Sequence, residues 1–167
     1  GIEWVDGTWN HYDLHLTIVV TGENSITSFG TMDEGDEYGI AINGRGGLPG
    51  GNGTNLTIQG DGTLNLTGYS HAISVYENIT FEGDVTVNAK SMQGAAIANT
   101  DSTGKITVRD KANVTAEGGP YGFGWTGTQS TPVIAGGTVT ASGTQAAFQS
   151  APSVEVGMAI TAGADKD

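Results

Sequence analysis

The chain has 167 residues, 28 of them glycine, with 14% charged residues and no cysteine. Its 6 Lys and Arg stand against 18 Asp and Glu for a net charge of −12, which repels nucleic-acid phosphates and anionic lipid surfaces. The absence of cysteine excludes a disulfide framework, a thiolate metal site and a cysteine nucleophile, and no apolar run reaches the roughly 18 residues of a membrane-spanning helix.

From the N-terminus, residues 1–35 carry Trp4, Trp9, Tyr12 and the alternating run Leu14-His-Leu-Thr-Ile-Val-Val20. They read as a capping segment and first coil, because the open end of a stacked structure needs cover for its unpaired backbone. An acidic stretch follows, with Asp33, Glu34, Asp36 and Glu37 within five residues.

Residues 36–162 then repeat a pattern. Asn55-Leu-Thr-Ile-Gln-Gly60, Asn78-Ile-Thr-Phe-Glu-Gly83 and Lys105-Ile-Thr-Val-Arg-Asp110 resemble one another, followed less closely by Pro132-Val-Ile-Ala-Gly136 and Val154-Glu-Val156. Their anchors Ile58, Phe81, Val108, Ile134 and Val156 are 23, 27, 26 and 22 residues apart. A second run follows each anchor: Leu64-Asn-Leu66, Val85-Thr-Val87, Val114-Thr-Ala116, Val139-Thr-Ala141 and Ile160-Thr-Ala162. A third run precedes it: Ile40-Ala-Ile42, Ala72-Ile-Ser-Val75, Ala95-Ala-Ile97, Gly122-Phe123 and Ala146-Ala-Phe148. Residues 163–167 are small or charged and read as the start of a linker.

Each run alternates with period 2, so one set of side chains is buried and the other faces out. Three short strands recurring every 25 or so residues predict an all-β fold, a single-stranded right-handed parallel β-helix of about five or six coils. An antiparallel sandwich also spaces short strands evenly. Equivalent residue types at a near-constant period, without hairpin turns flanked by long strands, favour the solenoid.

The phrases Leu16-Thr-Ile-Val-Val-Thr-Gly-Glu-Asn-Ser-Ile26, Tyr38-Gly-Ile-Ala-Ile42 and Leu56-Thr-Ile-Gln-Gly-Asp-Gly-Thr-Leu-Asn-Leu-Thr-Gly68 resemble β-helix repeats of bacterial cell-surface proteins from Gram-positive anaerobes. Among these is a carbohydrate-binding β-helix family that also binds calcium. The resemblance implies a secreted or cell-surface module, a polysaccharide or glycan as partner, Ca²⁺ as a ligand, and flanking domains of a longer chain.

Two acidic groups are candidate metal sites. Asp33, Glu34, Asp36 and Glu37 offer the hard oxygens that calcium takes, although without the spacing of a known calcium loop, and a solvated charged turn is the simpler reading of them. Asp61 and Asp84 fall on equivalent turns of neighbouring coils, where two carboxylates recruit a cation or are neutralised by Lys111 of the next coil.

For carbohydrate, aromatic faces are the usual platform. Tyr121 and Trp125 in the glycine-rich segment 118–127, and the cluster Tyr69, His71 and Tyr76, are the candidates; the competing reading is that these rings cover coil corners. No catalytic residues are assigned. A β-helix lyase needs a base beside acidic ligands, and Arg109 near Asp84 and Asp110 is the one grouping of that kind. The expectation is therefore a non-catalytic, carbohydrate-binding surface module, with a structural stalk or adhesin segment as alternative and a lyase third.

Overall fold

The computed structural model describes residues 1–5, 14–29, 39–45, 53–100, 104–125, 132–155 and 159–164. Within them the chain makes six coils of three strands each and no helix. The coils are β1 (Ile2–Val5), β2 (Leu14–Val20) and β3 (Glu23–Ser28); β4 (Ile40–Arg45), β5 (Thr54–Gly60) and β6 (Thr63–Gly68); β7 (His71–Val75), β8 (Ile79–Phe81) and β9 (Thr86–Ser91). The others are β10 (Ile97–Asn99), β11 (Ile106–Val108) and β12 (Asn113–Glu117); β13 (Tyr121–Trp125), β14 (Val133–Ile134) and β15 (Thr138–Gly143); β16 (Ala146–Phe148), β17 (Ser153–Val154) and β18 (Ala159–Ala164).

Every third strand pairs in parallel, giving three six-stranded sheets: β1-β4-β7-β10-β13-β16 (sheet 1), β2-β5-β8-β11-β14-β17 (sheet 2) and β3-β6-β9-β12-β15-β18 (sheet 3). This is the right-handed parallel β-helix that the repeat predicts. Its core is a set of ladders in register. Sheet 2 stacks Ile18, Ile58, Phe81, Val108, Ile134 and Val154. Sheet 1 stacks Ile2, Ile42, Ile73, Ile97, Phe123 and Phe148. The last two rings lie face to face, 5.1 Å between centroids and 8° from parallel.

Sheet 3 carries two inward ladders of different size. Leu64, Val87, Val114 and Val139 form one, and Leu66, Ala89, Ala116, Ala141 and Ala162 the other. The alanine ladder lies beside the corner into sheet 1, where the core narrows. A Cβ at Gly122 would stand 2.6 Å from the Ala116 carbonyl and 2.9 Å from that of Ala147, so only glycine fits there.

Three expected pairings are corrected. The sheet 2 ladder ends on Val154, not Val156. In coil three Val87, not Val85, stacks on Leu64, and Asn88, not Thr86, stacks on Asn65 outside. All three errors are slips of two residues. Such a slip keeps every side chain on its proper face, so alternation cannot detect it. Val85 remains buried, filling the corner ahead of β9.

Sheet 1 departs from simple alternation. Ala72–Val75 of β7 and Ile97–Asn99 of β10 are buried throughout. Polar groups inside are therefore bonded: the Asn99 amide, fully buried, donates to the Glu77 carbonyl at the corner into sheet 2.

Candidate functional site

Exposed positions of a coil belong either to corners or to outward sheet faces, so each candidate side chain has a definite place. Tyr69 and His71 lie at the corner from sheet 3 into sheet 1, with His71 opening β7. Tyr121 opens β13 at the same corner, two coils on, roughly 10 Å from His71 at coil spacing. Tyr76 follows β7 at the opposite end of sheet 1, where its ring lies against Gly53. It is thus separated from Tyr69 and His71 by the length of a strand. Trp125 ends β13, in register with Asn99, so its backbone is four residues from Tyr121, about 13 Å along a strand. Tyr121 and Trp125 thus stand at the two ends of β13, and the side chain of Trp125 lies outside the described residues.

The corner of Tyr69 and Tyr121 contains a regularity absent from the expectation. The four successive corners from coil two to coil six carry Tyr69, Gln93, Tyr121 and Gln145. The Gln93 amide donates to the Tyr69 hydroxyl at 2.7 Å, and the Tyr121 hydroxyl donates to Gln145 Oε1 at 2.6 Å. Both tyrosines are half-buried and both glutamines exposed. The result is a ridge along the solenoid axis in which phenol and amide alternate. His71 backs it, its Nδ1–H donating to the Ala95 carbonyl at 2.7 Å. Its ring occupies the space that a Cβ on Gly94 would need.

Beside this ridge lies the outward face of sheet 3, lined by hydroxyls and amides. One column runs Ser25, Asn65, Asn88, Thr115, Thr140 and Thr161. The Asn88 amide donates to Asn65 Oδ1 at 2.8 Å. A shallow groove there is bordered by Thr67, Lys90, Thr115 and Glu117, with Lys90 and Glu117 paired at 3.2 Å.

Comparison with protein-family models, curated proteins and solved structures gave no match.

The candidate metal residues divide into two groups. Asp33, Glu34, Asp36 and Glu37 lie outside the described residues. Asp61 and Asp84 do occupy equivalent corners, as the backbone bond from Asp84 N to Gly60 O shows, and both are exposed. Lys111 of the next coil reaches Asp84 Oδ1 at 3.7 Å. Among the described residues no group of three or more His, Asp or Glu is placed to hold a metal ion.

Arg109 does not stand beside Asp84 as a free base. Its Nε donates to Glu82 Oε2 at 2.8 Å and Nη2 contacts the same oxygen. Glu82 raises the Arg109 pKa, first through these hydrogen bonds and then through its charge, with Asp110 adding to the effect. A guanidinium held this way keeps its proton. Sequence reasoning also missed the network at the corner from sheet 1 into sheet 2. Asn78 donates from Nδ2 to Asn55 Oδ1 at 2.7 Å, and the Glu77 carboxylate receives Gly53 N at 3.0 Å and Asn55 Nδ2 at 3.3 Å. The Asn that heads two successive repeats, Asn55 and Asn78, was the available signal, but in sequence each also reads as an Asn-x-Thr triplet.

Proposed function

We propose that this solenoid is a non-catalytic, polysaccharide-binding module of a secreted or cell-surface protein. The observation that supports it is the ridge of Tyr69, Gln93, Tyr121 and Gln145 beside the hydroxyl- and amide-rich face of sheet 3. Half-exposed phenol rings supply apolar faces for sugar C–H groups, and neighbouring amides supply directional bonds for hydroxyls. A glycan lying along the solenoid axis would meet one coil about every 4.8 Å, so successive sugars would find alternating phenol and amide.

Affinity electrophoresis through gels containing plant and host polysaccharides tests this reading. Retardation of the wild type by at least one polysaccharide, lost in the double variant Tyr69→Ala/Tyr121→Ala, is expected. Unretarded migration in every gel would overturn it. Repeating the series with Ca²⁺ and with chelator assigns any calcium requirement, which the acidic segment at 33–37 would supply.

A structural stalk or adhesin segment is the second reading, favoured by the regular stacking of six near-identical coils into one rod. Lyase chemistry has no comparable support, because its one basic grouping is committed to Glu82.

A further inference from the structure

The ridge at the corner from sheet 3 into sheet 1 differs in charge from the rest of the chain. The net charge is −12, and the corners that follow β5, β8 and β11 on the way into sheet 3 carry Asp61, Glu82, Asp84, Arg109, Asp110 and Lys111. The four corners that bear the ridge, residues 68–71, 91–95, 118–121 and 143–146, hold no Asp, Glu, Lys or Arg. On the outward face of β6, β9, β12 and β15 beside them, the charged side chains are Lys90 and Glu117, and these two pair at 3.2 Å. Ridge and face together are therefore electrically neutral.

Their hydrogen-bonding groups are of both kinds. Tyr69 Oη accepts from Gln93 Nε2, so its own proton is left for a ligand oxygen and the Gln93 carbonyl is left to accept. Tyr121 directs its proton at Gln145 Oε1, which leaves its phenol oxygen to accept and the Gln145 amide N–H groups to donate. A sugar hydroxyl both donates and accepts, so it can be satisfied at each of these positions. Carboxylate and sulfate oxygens only accept. They would face the Gln93 and Tyr121 oxygens with no proton between, beside a lysine already held by Glu117, in the field of an acidic protein.

We propose that the ridge takes an uncharged polysaccharide, an extended neutral glycan whose hydroxyls meet these alternating donors and acceptors, and that it rejects uronate-rich and sulfated polymers. This rests on the glycan-binding reading above and narrows it to one chemical class. Binding through sugar faces and hydroxyls is insensitive to salt, unlike binding through exposed charges.

Isothermal titration calorimetry of the 167-residue chain tests the proposal with hydroxyethylcellulose, galactomannan and pectic galactan as neutral polymers, and carboxymethylcellulose, alginate and polygalacturonate as anionic ones, each at low and at high salt. Binding of at least one neutral polymer, with the same affinity at both salts, and of no anionic one is expected. Gln145→Glu keeps an acceptor for the Tyr121 hydroxyl but replaces the amide donors with a charge, and should weaken the neutral polymer several-fold. Far-UV circular dichroism checks that this exposed substitution leaves the sheet content unchanged. Preference for an anionic polymer, or an affinity lost at high salt, overturns the neutral class while glycan binding stands. An unchanged affinity in Gln145→Glu overturns the placement of the ligand on the ridge. Binding of no polymer overturns the glycan-binding reading itself, and this inference with it.

Discussion

The Asp110 carboxylate accepts a 3.0 Å hydrogen bond from the backbone N–H of Gly83, its counterpart one coil earlier, while Asp110 itself holds a φ of 59°. Gly83 makes the same left-handed turn at φ 75°. The corner from sheet 2 into sheet 3 needs that conformation, and glycine supplies it freely. Aspartate tolerates it, with a local hydrogen bond in compensation. Asp110→Ala keeps the strain and loses the bond, and should lower the stability to urea unfolding by about 1–2 kcal/mol. Asp110→Gly loses the bond but relieves the backbone, so it should cost less than the alanine variant.

The corrected register predicts a gradient along the sheet 2 ladder. Phe81 and Ile134 are fully buried, so Phe81→Ala should cost about 3–5 kcal/mol and Ile134→Ala about 2–5 kcal/mol. Val154→Ala, at the exposed end, should cost about 1 kcal/mol or less. Chemical denaturation of the three variants measures this directly. Ile58→Asp, which leaves a charge in the stack without a partner, should abolish cooperative folding.

Asn55 and Asn78 form one unit. Asn55 Oδ1 receives both the side-chain and backbone N–H groups of Asn78, at 2.7 and 3.3 Å. Removing either asparagine strands the other's partner, so the two alanine substitutions should be non-additive, with a coupling near 1 kcal/mol in a double-mutant cycle. Additive costs would show that the two asparagines contribute independently and nothing jointly.

Arg109 sets a pH expectation. Its folded-state pKa lies above the ordinary guanidinium range, raised first by the hydrogen bonds to Glu82 and then by that residue's charge. A raised folded pKa means that its contribution is fully present below the unfolded value and is lost only as pH rises through the folded one. Stability profiles of wild type and Arg109→Gln should therefore run parallel from pH 6 to about 10. Convergence within that window would show that Arg109 titrates there.

The fold was legible because its core is repetitive. Ile58, Phe81 and Val108 recur at the same place in the coil, and the period survives differences of several residues in corner length. Register was legible only modulo two, which is why Val85 and Val156 stood in for Val87 and Val154. The site was less legible. Tyr69 and Tyr121 were recognisable as exposed rings, but Gln93 and Gln145 are unremarkable in sequence and gain meaning only when coils stack. Trp125 shows how strand geometry spaces residues that are close in sequence. It is close to Tyr121 along the chain, yet extended backbone carries it to the far end of the strand.

Because each described strand bonds only to the strands directly above and below, none of the described strands depends on a distant coil for its backbone partners. Length is therefore a free variable of this architecture. Duplicating the segment from Asp61 to Gly83 would lengthen the rod by one step of about 4.8 Å, leave both ends as they were, and set Phe81 upon a copy of itself.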